Sequence, residues 1–283
     1  MRPRKKTAGT DPAIRIPRSE EPGTGLPNST FNIQHSKLEF RNPQSAIRNP
    51  QLVLGIETAT FCGGVALLAD DRLIASRTLN ALTTYSARLL PAIKELFREA
   101  GKTLNELTGL AVSIGPGSFT GVRIGLSEAK GLAVALGIPI VGVSTLEALA
   151  VRAGRNPRLV CPVVDARRGE TFVAAYRWRR GAELPKQAIT PAVMPIQDFV
   201  ARLRGPCLFL GDGALRYRAQ IESAMPDAAF APAHRILPSA EEVAWLGCRR
   251  LARGEADDPA QIEPVYIRAS DARLPQPKCS PTQ

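Results

Sequence analysis

Histidine is nearly missing from this 283-residue chain, which has only His35 and His234. Neither has a Cys, Ser or Asp partner at a useful spacing, and this argues against a histidine-based triad. The five cysteines (Cys62, Cys161, Cys207, Cys248, Cys279) are scattered and form no CxxC pair. That pattern excludes a zinc ribbon and fits reduced thiols in a cytosol. Aromatic residues make up only 5%. No apolar run approaches the length of about 18 residues that a membrane span needs. The first fifty residues lack the apolar centre of a secretory signal, so a cytoplasmic location is expected.

Apolar residues make up 44% and charged residues 22%, as in an ordinary soluble α/β protein. The net charge is +11, and residues 1–50 hold nine Lys/Arg against four Asp/Glu. That segment is rich in Pro, Asn, Ser and Arg and repeats "RNPQ" at 41–44 and 48–51. Its composition predicts a disordered extension, or a start assigned too far upstream of the folded protein. Basic knots at Arg167-Arg168, Arg177-Arg179-Arg180 and Arg249-Arg250 read as solvated faces rather than tRNA contacts.

Order begins at "LVLGIETAT". Residues 52–79 read as a three-strand meander, followed by a helix over 85–100 closed by Gly101. A strand over 107–115, a helix over 120–136 and a strand over 138–143 complete an alternation that predicts an α/β fold with a mixed sheet. The second half repeats the theme, with strands around the turn "DARRGE", a short helix from 196, a strand ending in "LGDGA" and a helix capped by Ser239. Segment "PVYIRAS" predicts a closing strand or a docked tail. The expected organisation is an extension (1–50), an N-terminal α/β lobe that mediates association (51–155) and a C-terminal α/β lobe with an extended tail (156–283).

Segment 113–137, "SIGPGSFTGVRIGLSEAKGLAVALG", holds six glycines. Gly115, Gly117 and Ser118 allow an open turn before a helix start, where free amides attract anions. Val-Arg after Gly121 rules out a P-loop, and no GxGxxG is present. Along the helix Gly121, Gly125, Ala129 and Ala133 recur every four residues and form a thin strip. Interior glycines cost about 1 kcal/mol each relative to alanine, so close packing must compensate. The expected neighbours are the helix 85–100 or a second subunit. Acidic candidates at strand ends are Glu57, Asp165 and Asp212. The first two are positioned to hold Mg²⁺ and phosphates, with Gly211 and Gly213 forming a loop for a nucleotide, whereas Asp212 reads as a cap or ion-pair partner.

The stretches "GIETATFCGGVALL", "YSARLLPAIKELFREAG", "AVSIGPGSFTGVRIGLSEAKGLAVALGIPIVGVSTLEALA", "VVDARRGETFVAAY" and "PVYIRASDAR" resemble the TsaB (YeaZ) family of bacterial tRNA threonylcarbamoyladenosine biosynthesis proteins, relatives of TsaD, Kae and Qri. The resemblance implies a two-lobed fold like actin, hexokinase and Hsp70. It implies a non-catalytic subunit that binds and activates TsaD for threonylcarbamoyl transfer to the adenosine next to the anticodon. TsaE would dock on the pair, tRNA would be met through the complex, and a homodimer would use the same helices. No cofactor is required on this reading, with ATP or ADP at the interface of the pair. TsaD-like proteins carry His-x-x-x-His where this chain has Thr145 and Leu149, so that metal site cannot form. "LGIETAT" leans towards the catalytic sister, and Tyr85 departs from the His-Ser often found before "RLLP". The implied partner interface is Leu89, Leu90, Ile93 and Phe97 with Gly121, Gly125, Ala129 and Ala133. Gly125→Leu or Ala129→Trp is expected to abolish capture of TsaD and leave the monomer folded. The competing expectation is an independent ATP-dependent phosphotransferase of the actin-like fold.

Overall fold

The computed structural model describes residues 51–80 and 85–267. The proposed extension 1–50, with His35, and the stretch after residue 267, with Cys279, lie outside the described residues. The first half runs β1 (Leu52–Glu57), β2 (Cys62–Ala69), β3 (Arg72–Asn80), α1 (Tyr85–Ala100), β4 (Gly109–Gly115), α2 (Phe119–Leu136), β5 (Ile140–Ser144) and α3 (Thr145–Arg152). The second runs β6 (Leu159–Arg167), β7 (Glu170–Arg177), β8 (Lys186–Met194), α4 (Ile196–Arg202), β9 (Cys207–Leu210), α5 (Asp212–Arg216), α6 (Arg218–Ala224), β10 (Ala229–Phe230) and α7 (Ala240–Ala252).

The two halves repeat one topology. The first sheet has the order β3-β2-β1-β4-β5 and the second β8-β7-β6-β9-β10. In each, the first three strands form an antiparallel meander and the next strand pairs parallel to the first. This is the mixed α/β, actin-like architecture expected from the sequence. The central strand β1 is buried along its whole length because helices cover both faces of its sheet. On one side Leu54, Ile56 and Leu110 pack with Leu89, Ile93, Leu96 and Leu126 of α1 and α2. Pro91 sits in the second turn of α1, and α2 ends at Gly137, whose left-handed φ of 63° and N–H to Ala133 O close the helix.

The other face of the first sheet is covered from far along the chain. α7, which the sequence assigns to the second lobe, packs on β1, β2 and β4 through Val243, Ala244 and Leu246. Gly55 and Gly247 make that approach possible: a Cβ on Gly55 would lie 2.6 Å from Ala244 Cβ, and one on Gly247 2.3 Å from Ala111 Cβ. α3 makes the reciprocal move, with Leu146, Leu149 and Ala150 packed against Val160, Val164 and Ala174 of the second sheet. Arg152–Glu242 at 3.0 Å ties α3 to α7, as does Arg250–Glu147 at 2.5 Å. Each sheet thus borrows a helix from across residue 155.

"PVYIRAS" forms no named strand. Its described part is a docked tail: Asp257 N bonds Ile140 O at 2.8 Å, Ile262 joins the first core, and Val265 N donates to Ile114 O at 2.8 Å. No described helix is long and apolar enough to cross a membrane.

Candidate functional site: the acidic junction and the α1/α2 face

Glu57 ends β1 with no solvent exposure. Its Oε1 accepts the Ala59 N–H at 2.5 Å, and Ser113 hydrogen-bonds the same carboxyl. Oε2 has no partner among the described residues. Burial is the largest influence on this acid and the nearby carboxylates Asp212 and Glu242 add to it, so its pKa is pushed up to about 7. The carboxyl has no open face from which to hold a hydrated Mg²⁺. The β1–β2 loop seals it. Tyr85, which begins α1, donates from its hydroxyl to Thr60 O at 2.8 Å and pins that loop.

The turn at 115–118 closes against the same loop. A Cβ on Gly117 would lie 2.2 Å from Ala59 O. Ser118 N donates to Ala59 O at 2.6 Å, and Ser118 Oγ caps α2 by accepting Gly121 N at 3.2 Å. Gly115 carries a φ of 98° and joins Pro116 through a cis bond. Two amides that an anion would need at this helix start are thus taken by the chain itself.

The second lobe treats its acid differently. Asp165, on β6, binds Arg167 at 3.4 Å and Arg216 at 3.3 Å, two largely exposed arginines. Its Oδ1 also accepts Arg167 N at 3.0 Å, in a turn where Arg167 and Arg168 hold φ of 64° and 54°. Asp212 Oδ1 accepts the amides of Asp165 (3.1 Å) and Gly213 (2.9 Å), a structural, cap-like role, while burial raises its pKa. Gly211 and Gly213 press on β6: a Cβ at Gly211 would meet Val163 O at 2.1 Å. The fold thus gathers Glu57, Asp165 and Asp212 at the junction of the two sheets, and the glycines at 211 and 213 serve packing there.

On α3, Thr145 and Leu149 are both fully buried, Thr145 with no hydroxyl partner among the described residues and Leu149 against the second sheet. His234 lies in a short 3-10 turn, where its carbonyl accepts Arg152 at 2.9 Å. Among the described residues no group of three or more His, Cys, Asp or Glu is placed to hold a metal ion.

The interface expected from the sequence needs correction. Gly121, Gly125, Ala129 and Ala133 face inward and are buried. A Cβ on Gly121 would lie 2.1 Å from Thr58 O, and one on Gly125 2.2 Å from Thr58 Oγ1. Leu89, Ile93 and Phe97 are also core residues, so of the eight only Leu90, 42% exposed, reaches solvent. The strip is thin because the β1–β2 loop crosses over it, and Gly125→Leu or Ala129→Trp would disturb the monomer itself.

The outward side of α2 carries a second run of small residues that the sequence reading passed over. Ser127, Gly131 and Ala135 are exposed at four-residue spacing, and a Cβ on Gly131 would meet nothing within 4 Å. Exposed Val134 flanks them at 54%, and α1 adds exposed Ala87, Leu90, Pro91 and Lys94. The signal was present in the sequence as Ser-x-x-x-Gly-x-x-x-Ala, about 150° around the helix from the inner strip.

The family model described as TsaD, tRNA N6-adenosine threonylcarbamoyltransferase, matches residues 79–275. The chain is 34% identical over 226 residues to the tRNA threonylcarbamoyladenosine biosynthesis protein TsaB of Bacillus subtilis, covering 78% of this chain and 95% of that one. It is 31% identical to TsaB of Escherichia coli, with 76% and 94% covered. Among solved structures, YeaZ from Pseudomonas aeruginosa superposes with a TM-score of 0.66 at 32% identity, over 76% of this chain and 99% of that one. With these relatives covered almost end to end, the chain belongs to the TsaB (YeaZ) family, within the wider family that the TsaD model describes.

Proposed function

We infer that this chain is an accessory subunit of tRNA threonylcarbamoyladenosine biosynthesis, which binds a TsaD-type protein and activates its threonylcarbamoyl transfer to tRNA. The family and the names of its relatives support a role in that pathway. The observation that carries the finer reading is the outward face of α1 and α2. There a run of small residues is flanked by exposed Leu90 and Val134, a surface on which a partner helix packs closely. Thr145 and Leu149, at the positions of the sister family's metal-binding histidines, leave this chain dependent on a partner for the chemistry. Glu57, sealed in its loop, gives the phosphotransferase reading no Mg²⁺ ligand facing solvent. TsaE and an ATP or ADP at the interface belong to the same proposal, and the bare chain uses the same face to form a homodimer.

The experiment is reconstitution. A TsaD-type partner supplied with threonylcarbamoyl-AMP and tRNA should modify tRNA many-fold faster when this chain is added. Leu90→Glu and Val134→Glu should each remove most of the stimulation, because a buried unpaired carboxylate opposes docking. Modification of tRNA by this chain alone, or full stimulation by both variants, would overturn the proposal.

A further inference from the structure

At the start of α2, two aromatic rings stand out to solvent in a chain with few of them. Phe119 is 55% exposed, and Tyr266 of the docked tail is 51% exposed. Between them Arg123 lays its guanidinium 3.6 Å from the centre of the Phe119 ring and donates through Nε to the Tyr266 hydroxyl at 2.9 Å. The ring centres are 5.8 Å apart and tilted by 38°. Phe61, 49% exposed, lies on the β1–β2 loop that packs against the turn leading into α2. Beside the rings is an open hollow of about 400 Å³, whose lining includes Ile124 as well as Phe119, Thr120, Arg123, Ser127 and Glu128.

We propose that this cluster binds an unpaired RNA nucleotide, with the base stacked on the exposed rings and the ribose in the hollow beside them. Flat aromatic and guanidinium faces are the surfaces on which unpaired bases stack, with little regard to base identity. The hydroxyl of Thr120 and the carboxylate of Glu128 suit ribose hydroxyls, which distinguish RNA from DNA. Arg123 supplies a cation towards the phosphates, in a chain whose net charge is +11. A protein-docking hot spot needs a surround of contacts that excludes water. Here hydroxyl and charged groups of Ser86, Thr120, Arg123 and Glu128 stand among the apolar surface of Phe119 and Ile124, and the exposed Val134 lies about 22 Å further along the helix. The site rests on the reading that the chain works on tRNA, and it places direct RNA contact on this chain as well as on its partner.

The test measures binding of the full chain to an RNA hairpin with an unpaired, adenosine-rich loop, and to the DNA hairpin of the same sequence. Capture of the TsaD-type partner is measured on the same samples. RNA should bind more tightly than DNA, and Phe119→Ala and Tyr266→Ala should each weaken it about tenfold, the loss of one stacked base. Tyr266→Phe keeps the ring and should retain most of the binding. Melting temperatures should match the wild type, since both rings are half exposed, and partner capture should persist in all three variants. The site is refuted if the wild type binds no RNA or if both alanine variants bind as the wild type does. It is also refuted if the variants lose the partner while RNA binding is unchanged. Loss of partner capture by the wild type, with RNA binding intact, would instead remove the subunit reading and leave the site standing.

Discussion

The two sheets share a strand order yet treat the acid at the end of their central strand in opposite ways. In the first, Glu57 is shut behind the β1–β2 loop with one oxygen unpartnered among the described residues. In the second, Asp165 keeps two exposed arginines and braces a turn of positive φ. The difference comes from what lies across each strand end. Gly117, Gly121 and Gly125 let α2 and its leading turn come down on residues 58–59, leaving no room for a ligand around Glu57. At the second, Arg167 and Arg216 reach Asp165 from the solvent side. One topology thus yields a sealed lobe and an arginine-bearing one.

The largest expected effect comes from prising open the sealed side. Gly125→Leu should destabilise the fold by at least about 3 kcal/mol in urea unfolding, because its Cβ alone would collide with Thr58 Oγ1. Gly131→Leu, on the same helix facing open space, should unfold like the wild type. Equal stability of the two variants would mean that the inner strip is not packed as described.

Next comes the acid itself. Glu57 holds its proton more tightly folded, at about 7, than at its ordinary value of 4.5. The native state therefore binds the extra proton, so its stabilising contribution is complete below about pH 4.5 and is lost as pH rises through 7. The span is roughly 3 kcal/mol. Glu57→Gln, which keeps the shape without the charge, should flatten the fall in stability between those values, leaving a smaller slope from Asp212 and Glu242, whose pKa values burial also raises. A denaturation series across pH 4 to 8 would show it, and an unchanged slope would mean that Glu57 titrates as an ordinary surface carboxylate.

The smallest effect belongs to Asp165. Asp165→Ala frees two arginines that already face water and leaves one turn amide, Arg167 N, to find solvent. Its cost should be about 1 kcal/mol by the same unfolding measurement. A loss as large as that of Gly125→Leu would erase the contrast between the lobes.

The sequence made the strands of the first meander and the lengths of α1 and α2 readable, because their apolar residues recur at period two or at helical spacing. It did not reveal which way the Gly/Ala strip of α2 faces. Small residues on both sides leave no apolar stripe to orient the helix, and the orientation is fixed by Thr58 and Ala59, some sixty residues upstream. β8 was overlooked because "KQAITPAVM" is an exposed edge with Pro191 within it and little alternation. The exchange of α3 and α7 between sheets was invisible to any local pattern. Ser239 shows where α7 begins, but its target, the glycine-notched face of β1 and β4, is known only once the chain has folded back. Among site residues, the acids at strand ends were legible by position. Their burial, which decides their chemistry, was not.

The central claim is that this chain meets its partner through the outward side of α2 and keeps the inward strip for itself. Gly131→Trp tests it most directly, measured as affinity for the TsaD-type partner alongside thermal melting. The account predicts a melting temperature like that of the wild type together with loss of most of the affinity. A variant that stays folded and binds the partner as tightly as the wild type would contradict it.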